Sequence, residues 1–158
     1  MIDELPPATD AELDALEAGL DRWLQATLVE NPVVVAVDRG EPGERRWYVR
    51  LAGEEKDFTT VWLTLRQRAL HVETYVMPAP EENHAIFYEH LLRRNLKTRM
   101  LWFAIGEEDA VFVVGQVPLA LLDEANVDRV LGSVYLYVEQ FFRPALRIGF
   151  ASRFKESH

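Results

Sequence analysis

The arrangement of strand and helix signals between Arg46 and Gly115 constrains the fold more than any other feature of this sequence. Three segments with alternating apolar and polar residues come first, followed by one helical segment and then by two more strands. The connections inside each group of strands are short, which predicts hairpins and therefore a largely antiparallel sheet. This order predicts an α+β fold, and no segment of it carries the signature of a particular reaction.

A helix precedes this region. Thr9 and Glu12 have the spacing of a capping box, and apolar residues then recur at helical spacing, so a helix is predicted over about residues 10–29. Residues 33–37 are a short, mainly β-branched run. An additional strand at the edge of the sheet is therefore a possible interpretation of these residues.

Two more helices are predicted. Two prolines in residues 77–83 end the third strand and prepare a helix with Glu81 and Glu82 in its first turn, where carboxylates favour the positive end of the helix dipole. The last helix is predicted to begin near Asp123, and Pro144 is expected to kink or end it. The predicted fold is an antiparallel sheet of about five strands with three helices, in the order α-β-β-β-α-β-β-α.

Two features inside these elements lead to further expectations. The strands predicted at residues 100–105 and 110–117 are almost wholly apolar, which is typical of strands that are central in a sheet or covered on both faces. Gly132 lies inside the last predicted helix, and we expect it to let a neighbouring element approach closely.

The composition indicates one globular domain. The chain has 158 residues, no cysteine and a formal net charge of −9. The lack of cysteine excludes disulfides, thiolate nucleophiles and cysteine-ligated metals. Its apolar runs are too short to span a bilayer and its acidic start does not resemble a signal peptide, which predicts a cytoplasmic protein with no membrane partner. We expect a flexible acidic arm over residues 1–8, a single domain over residues 9–151 and a frayed tail over residues 152–158.

Negative charge is concentrated at the beginning of the chain. Residues 1–30 hold eight acidic residues and one arginine, whereas the rest of the chain is nearly balanced. Acidic surfaces repel nucleic acid and anionic lipid, so no nucleic-acid partner is expected. A solvated helix face is the ordinary interpretation of these acids, and a basic partner is the alternative.

The sequence resembles the YbjN family of bacterial proteins, and the resemblance extends from about residue 10 to residue 151. The matching segments are Arg46-Trp47-Tyr48-Val49-Arg50-Leu51, Val61-Trp62-Leu63-Thr64-Leu65, Tyr75-Val76-Met77-Pro78-Ala79-Pro80, Tyr88-Glu89-His90-Leu91-Leu92-Arg93-Arg94-Asn95 and Gly115-Gln116-Val117-Pro118-Leu119. The resemblance implies the fold of type III secretion chaperones, and dimers that hold an extended or partly folded protein. The family is often described as sensory-transduction regulators without a defined activity, so no catalytic residue is implied.

No group of residues predicts an enzyme or a metal site. A zinc site needs at least three converging protein ligands, and the sequence offers only pairs with ligand spacing. These pairs are His71 with Glu73, and Glu81 with His84. The serine candidates for a nucleophile, Ser133 and Ser152, do not lie in a strand-turn-helix elbow. We therefore expect no catalytic residue, no metal and no cofactor, and the protein is not predicted to be an enzyme.

One basic cluster follows the middle helix. It consists of Arg93, Arg94, Lys97 and Arg99, to which Arg45 and Arg46 can add. The functional interpretation is a patch for an acidic partner, including the acidic first helix of a second copy of this chain. The alternative is ordinary pairing of cations with the negative end of a helix.

Aromatic residues are numerous on the predicted strands. Trp47 shares its strand face with apolar neighbours, whereas Trp62 and Tyr75 fall on the opposite parity from Val61 and Val76. These two aromatic residues are therefore expected on the second face of the sheet, with His71 and Glu73 beside Tyr75. An exposed aromatic face indicates a partner surface, and the alternative is that helices cover both faces.

These observations favour a non-enzymatic, chaperone-like or regulatory module that binds a protein of unknown identity. A homodimer is predicted, because the apolar stripes on the first and last helices and the second aromatic sheet face exceed what one small sheet is expected to bury. The predicted partner-binding residues are Trp62, His71, Glu73, Tyr75, Arg93, Arg94, Lys97 and Arg99. The alternative is a small-molecule-sensing regulator with a pocket between the sheet and the helices.

Overall fold

The computed structural model describes residues 4–155, which form six strands and four helices. The strands are β1 (Val34–Arg39), β2 (Arg46–Ala52), β3 (Phe58–Leu65), β4 (Ala69–Met77), β5 (Leu101–Ile105) and β6 (Val111–Pro118). The helices are α1 (Asp10–Glu30), α2 (His84–Arg94), α3 (Glu124–Gly149) and α4 (Ala151–Lys155).

All six strands pair antiparallel in one sheet, in the order β1-β2-β3-β4-β6-β5. The first four strands are joined by consecutive hairpins. Helix α2 then carries the chain to the far edge, where β5 forms, and β6 returns between β4 and β5. The two edges of the sheet are therefore β1 and β5.

The helices cover one face of this sheet. Side chains alternate along β3, where every second residue from Thr59 to Leu65 is buried and the residues between them are partly or fully exposed. The buried face packs with apolar side chains of the helices, including Leu24, Phe87 and Phe141, which are fully buried. All of these residues belong to one hydrophobic core.

The predicted α+β class, antiparallel sheet and order of the main elements are confirmed. The predicted strand count is one too low, because the residues left open as an edge strand form β1. The short helix α4 raises the number of helices from three to four.

The expectation that both apolar strands are central or covered on both faces holds for β6, which lies between β4 and β5, and is wrong for β5. β5 is an edge strand, and Trp102 and Ile105 are 46% and 51% exposed. In β6, Phe112 and Val114 are only half-buried. Both strands read as apolar because the uncovered face of the sheet is itself apolar there.

The start of the middle helix also differs from the prediction. Helix α2 begins at His84, so Glu81 and Glu82 precede it and do not lie in its first turn. Asn83 has a left-handed backbone (φ 54°), and the N–H groups of Glu81 and Glu82 donate to the Gly149 carbonyl at 2.9 and 3.1 Å. The carboxylate of Glu81 binds Arg153 and that of Glu82 binds Ser152, and both partners lie in α4.

Two expectations concern helix α3, and the one about Gly132 is wrong. Of the two outcomes expected at Pro144, a kink or an end, the end does not occur, because the helix continues to Gly149. A proline removes one backbone hydrogen bond, and the burial of Phe141 and Ala145 on either side holds the helix in place. Gly132 faces open space, since a Cβ atom added there would have no neighbouring atom within 4 Å.

Both ends of the described chain contact the domain. The N–H of Ala8 donates to the Gln67 carbonyl at 2.8 Å, and Arg68 donates to the Leu5 carbonyl at 2.7 Å. At the other end, the Ser152 hydroxyl donates to Glu82 at 2.8 Å. The arm and tail expected from the sequence lie partly outside the described residues.

Candidate functional site: the open face of the sheet

The sheet face that carries no helix is the candidate site, and we call it the open face. It consists of the side chains that point away from the helices on β2, β3, β4, β6 and β5. Its larger members are Arg46, Tyr48, Arg50, Phe58, Trp62, Thr64, His71, Glu73, Tyr75, Trp102, Phe112, Val114 and Gln116.

One row of the open face crosses five strands in register. Tyr48 pairs with Trp62, Trp62 with Glu73, Glu73 with Val114, and Val114 with Trp102. Trp62 and Trp102 are separated by three strand spacings, or about 14 Å. The two indoles therefore flank a shallow groove of about 180 Å³ whose floor includes Glu73 and Val114.

Aromatic pairs on the open face contact each other across strands. Tyr48 and Trp62 meet edge to face with ring centroids 6.1 Å apart, and Tyr75 and Phe112 do the same at 5.7 Å. This geometry is favourable for aromatic rings and fixes their orientation. Trp62 and Tyr75 nevertheless remain 40% and 44% exposed.

Charged and titratable side chains also line the groove. Arg46, Arg66 and His71 are basic or titratable there, and Glu73 is the acidic member. Arg46 donates to the Thr64 hydroxyl at 3.1 Å. The pKa of His71 is lowered, first by burial of the ring and second by the positive charge of Arg66, so the imidazole favours its neutral form. Burial and the nearby Glu108 raise the pKa of Tyr75.

The structure places four of the predicted partner-binding residues together. Trp62, His71, Glu73 and Tyr75 all lie on the open face, on the adjacent strands β3 and β4. The other four do not join them. Arg93, Arg94, Lys97 and Arg99 lie at and beyond the end of α2, in the helix layer. Arg93 binds Glu89 within α2, and Arg94 donates to Gln140 of α3 at 3.0 Å.

The other two arginines do not extend this basic cluster. Arg46 lies on the open face, and Arg45 binds α1 through Asp14 at 2.8 Å and Glu17 at 3.3 Å. Arg39 likewise binds Glu17 and Asp21, both at 3.2 Å. The acidic surface of α1 is therefore partly neutralised by the β1–β2 hairpin of its own chain.

The sequence interpretation missed several members of the open face. Tyr48 could have been assigned to the open face from the sequence, because it alternates with Trp47, which was expected on the inner face. Trp102 and Phe112 were not predicted to be exposed, because both of their strands were expected to be central or covered on both faces. Arg66 lies in a turn, where alternation gives no information about direction. The pairing of β4 with β6, and of β6 with β5, brings Phe112 and Trp102 to the same surface as Trp62 and Tyr75.

A metal site, a serine nucleophile and a membrane-spanning helix are other possibilities for residues 4–155. There is no group of three or more histidine and acidic residues there that could hold a metal ion. Ser133 lies within α3, and Ser152 binds Glu82. No helix in that part of the chain is long and apolar enough to cross a membrane.

Comparison with known proteins identifies relatives of this chain. The YbjN family model, described as “Putative bacterial sensory transduction regulator”, matches residues 18–147. The uncharacterized protein ML2442 of Mycobacterium leprae is 36% identical over 110 residues, which is 70% of this chain and 60% of that protein. The uncharacterized proteins Mb0497 of Mycobacterium bovis and Rv0487 of Mycobacterium tuberculosis are each 35% identical over 104 residues, 66% of this chain and 57% of theirs. The chain thus spans at most 60% of the length of these curated relatives.

Proposed function

This chain belongs to the YbjN family, and we propose that it is a non-enzymatic, chaperone-like protein-binding module that works as a homodimer. In this proposal an extended or partly folded polypeptide lies on the open face. The observation that carries the proposal is the one-sided fold. Helices cover one face of a six-stranded sheet, and the other face displays aromatic side chains across five strands.

The chemistry of the open face supports polypeptide binding. Trp62, Tyr75 and Trp102 are between 40% and 46% exposed. Each can desolvate a large area at a low entropy cost, which is why aromatic residues dominate the energetics of interfaces. The groove between Trp62 and Trp102 adds donors and acceptors that can bond a peptide backbone.

The family description supports a regulatory use of such binding. It refers to sensory transduction. The sequence suggests no pair of nucleophile and general base in this small domain. The simplest way for such a domain to regulate is to bind or release another protein. The proposal therefore combines the open face with the family's regulatory description.

The homodimer rests on apolar side chains left exposed in the helix layer. Leu92 is 66% exposed, Leu96 86% and Leu136 48%. They lie on α2, on the turn after it, and on α3. The apolar stripes of α1 and α3, which suggested a dimer from the sequence, are buried in the chain's own core and do not support one.

Binding of an unfolded polypeptide tests the function directly. The probe is fluorescently labelled α-lactalbumin, reduced and alkylated so that it stays unfolded, titrated by fluorescence anisotropy. Trp62→Ala and Tyr75→Ala should each weaken binding by a factor of about 5 to 150, equivalent to about 1–3 kcal/mol. Circular dichroism should show both variants folded, because each ring is substantially exposed.

Two controls separate binding from folding. Ile86→Ala removes an apolar side chain that is 58% exposed on α2, away from the open face, and should leave the affinity unchanged. Val61 is fully buried on the helix side of β3, so Val61→Ala should lower the melting temperature. Equal affinities for the wild type and both aromatic variants would exclude the open face as the binding surface. Unfolding of both variants would show that these rings are needed for the fold.

A further inference from the structure

A separate cavity of about 320 Å³ lies in the helix layer, between α3 and the residues that lead into β5. Its walls are mainly apolar and are formed by Met100, Leu101, Val130 and Tyr137. This volume falls at the lower end of the range for small-molecule sites. The cavity lies on the helix side of the sheet, since Leu101 and Val130 both belong to the buried core.

Two arginines line the same cavity, and none of its lining residues is acidic. Arg99 comes from the segment before β5, and Arg129 comes from α3. Arg129 donates to the side chain of Asn126, and neither arginine pairs with a carboxylate among residues 4–155. Both arginines are exposed. They are electrostatically complementary to an anion.

The cavity wall is held in a fixed shape by the backbone. The N–H of Arg99 donates to the Tyr137 hydroxyl at 3.0 Å, which joins this segment to α3. Met100 has a left-handed backbone with φ 65°. The carbonyl of Met100 lies so close to Gly115 that a Cβ atom added there would be 2.3 Å from it. A wall that is already ordered reduces the entropy lost when a ligand binds.

From these contacts we infer that the cavity between α3 and the start of β5 binds a small amphipathic carboxylate. The apolar body of the ligand packs on Leu101 and Val130, and its carboxylate accepts hydrogen bonds from Arg99 and Arg129. Guanidinium groups suit this role because their donors match the geometry of a carboxylate. Ser133, which also lines the cavity, offers a hydroxyl to the bound group. This site is separate from the open face and does not depend on polypeptide binding.

Phenylbutyrate and its uncharged analogue phenylbutyramide test the site as matched probes. Each is titrated into 15N-labelled protein, and the amide and arginine Nε–H signals are followed by NMR. Phenylbutyrate should shift the signals of Arg99, Arg129 and Ser133 in a saturable way, and phenylbutyramide should bind at least about tenfold more weakly, as expected for the loss of one charged hydrogen bond.

Variants distinguish binding of phenylbutyrate in the cavity from nonspecific attraction of its carboxylate to any positive charge. Arg99→Gln and Arg129→Gln should each weaken phenylbutyrate binding by about tenfold. Ser133→Phe should block the cavity while leaving the helix intact. Arg147→Gln removes an exposed positive charge near the end of α3, outside the cavity, and should have no effect. Absence of saturable shifts, equal binding of the two probes, or shifts confined to the open face would overturn the inference.

Discussion

Gly132 shows at the scale of one residue how backbone entropy affects stability. It lies in the interior of α3, is exposed, and has open space where a Cβ atom would be. Gly132→Ala should therefore raise the free energy of unfolding by about 0.5–1 kcal/mol, because alanine loses less backbone entropy in a helix. Urea denaturation measures the change.

Gly53→Ala is the matched control for this prediction. A Cβ atom at Gly53 would lie 1.7 Å from a carboxylate oxygen of Glu139 and 2.3 Å from the Lys56 carbonyl, so this variant should be destabilised. Destabilisation by Gly132→Ala as well would contradict the prediction.

His71 and Arg66 give a prediction about charge on the open face. Arg66 contributes to lowering the pKa of His71 below its ordinary value of 6.5, although burial contributes more. Arg66→Gln should therefore raise the pKa of His71 part of the way, as measured by NMR titration of the imidazole. His90 is the internal control, because its pKa is lowered by burial and by Arg94 and should not respond.

The same shift has a consequence for stability. The folded state holds His71 neutral at pH values where the unfolded chain protonates it, so the unfolded state binds more protons. The contribution of His71 to the free energy of unfolding is fully present above the pKa of the unfolded chain, about 6.5. It is lost as the pH falls from that value through the lower pKa of the folded state. Arg66→Gln should reduce this loss, and a pH dependence identical to that of the wild type would contradict the assignment.

At the scale of an element, β5 is an edge strand, and one side chain forms hydrogen bonds with the outward-facing backbone groups of its middle residue. Asn95 accepts from the Phe103 N–H at 2.7 Å and donates to the Phe103 carbonyl at 3.1 Å, as a neighbouring strand would. Asn95→Ala should lower the free energy of unfolding by about 1–3 kcal/mol, because both backbone groups are partly buried and lose their partner. Urea denaturation and hydrogen exchange at Phe103 measure the effect.

Asn95→Asp provides the comparison for this edge. The carboxylate can still accept from the Phe103 N–H but cannot donate to the carbonyl, so its stability should fall between those of the wild type and Asn95→Ala. Unchanged exchange at Phe103 in the alanine variant would show that the edge does not depend on Asn95.

At the scale of the whole molecule, the proposed homodimer should be visible in its mass. Sedimentation at micromolar concentration should give about twice 18.2 kDa. Leu96→Asp places a charge where an 86% exposed leucine is proposed to meet the second copy, and should produce monomers. Val29→Asp changes an equally exposed residue on α1 and should leave the dimer intact. A monomeric wild type at high concentration would exclude the dimer.

The fold class was accessible from the sequence because its signals are local. Strict alternation in β2, β3 and β4 placed Trp47 and Val61 inward and Trp62 and Tyr75 outward before any contact was known. The capping box at Thr9 marked the start of α1. These patterns depend on the geometry of a single strand or helix, and they also identified Trp62, His71, Glu73 and Tyr75 as members of one sheet face.

The tertiary structure alone decided which strands are neighbours and which faces stay uncovered. The sequence places β5 before β6, yet β6 pairs with β4 and leaves β5 at the edge. That pairing brings Trp102 into the row of Trp62, and it could not be predicted because a nearly uniform apolar run does not distinguish a covered strand from an apolar open one. The position of the basic cluster in the helix layer was likewise set by the packing of α2 on α3. Alternation specifies which residues of a strand share a face, but what covers that face depends on contacts between distant parts of the chain.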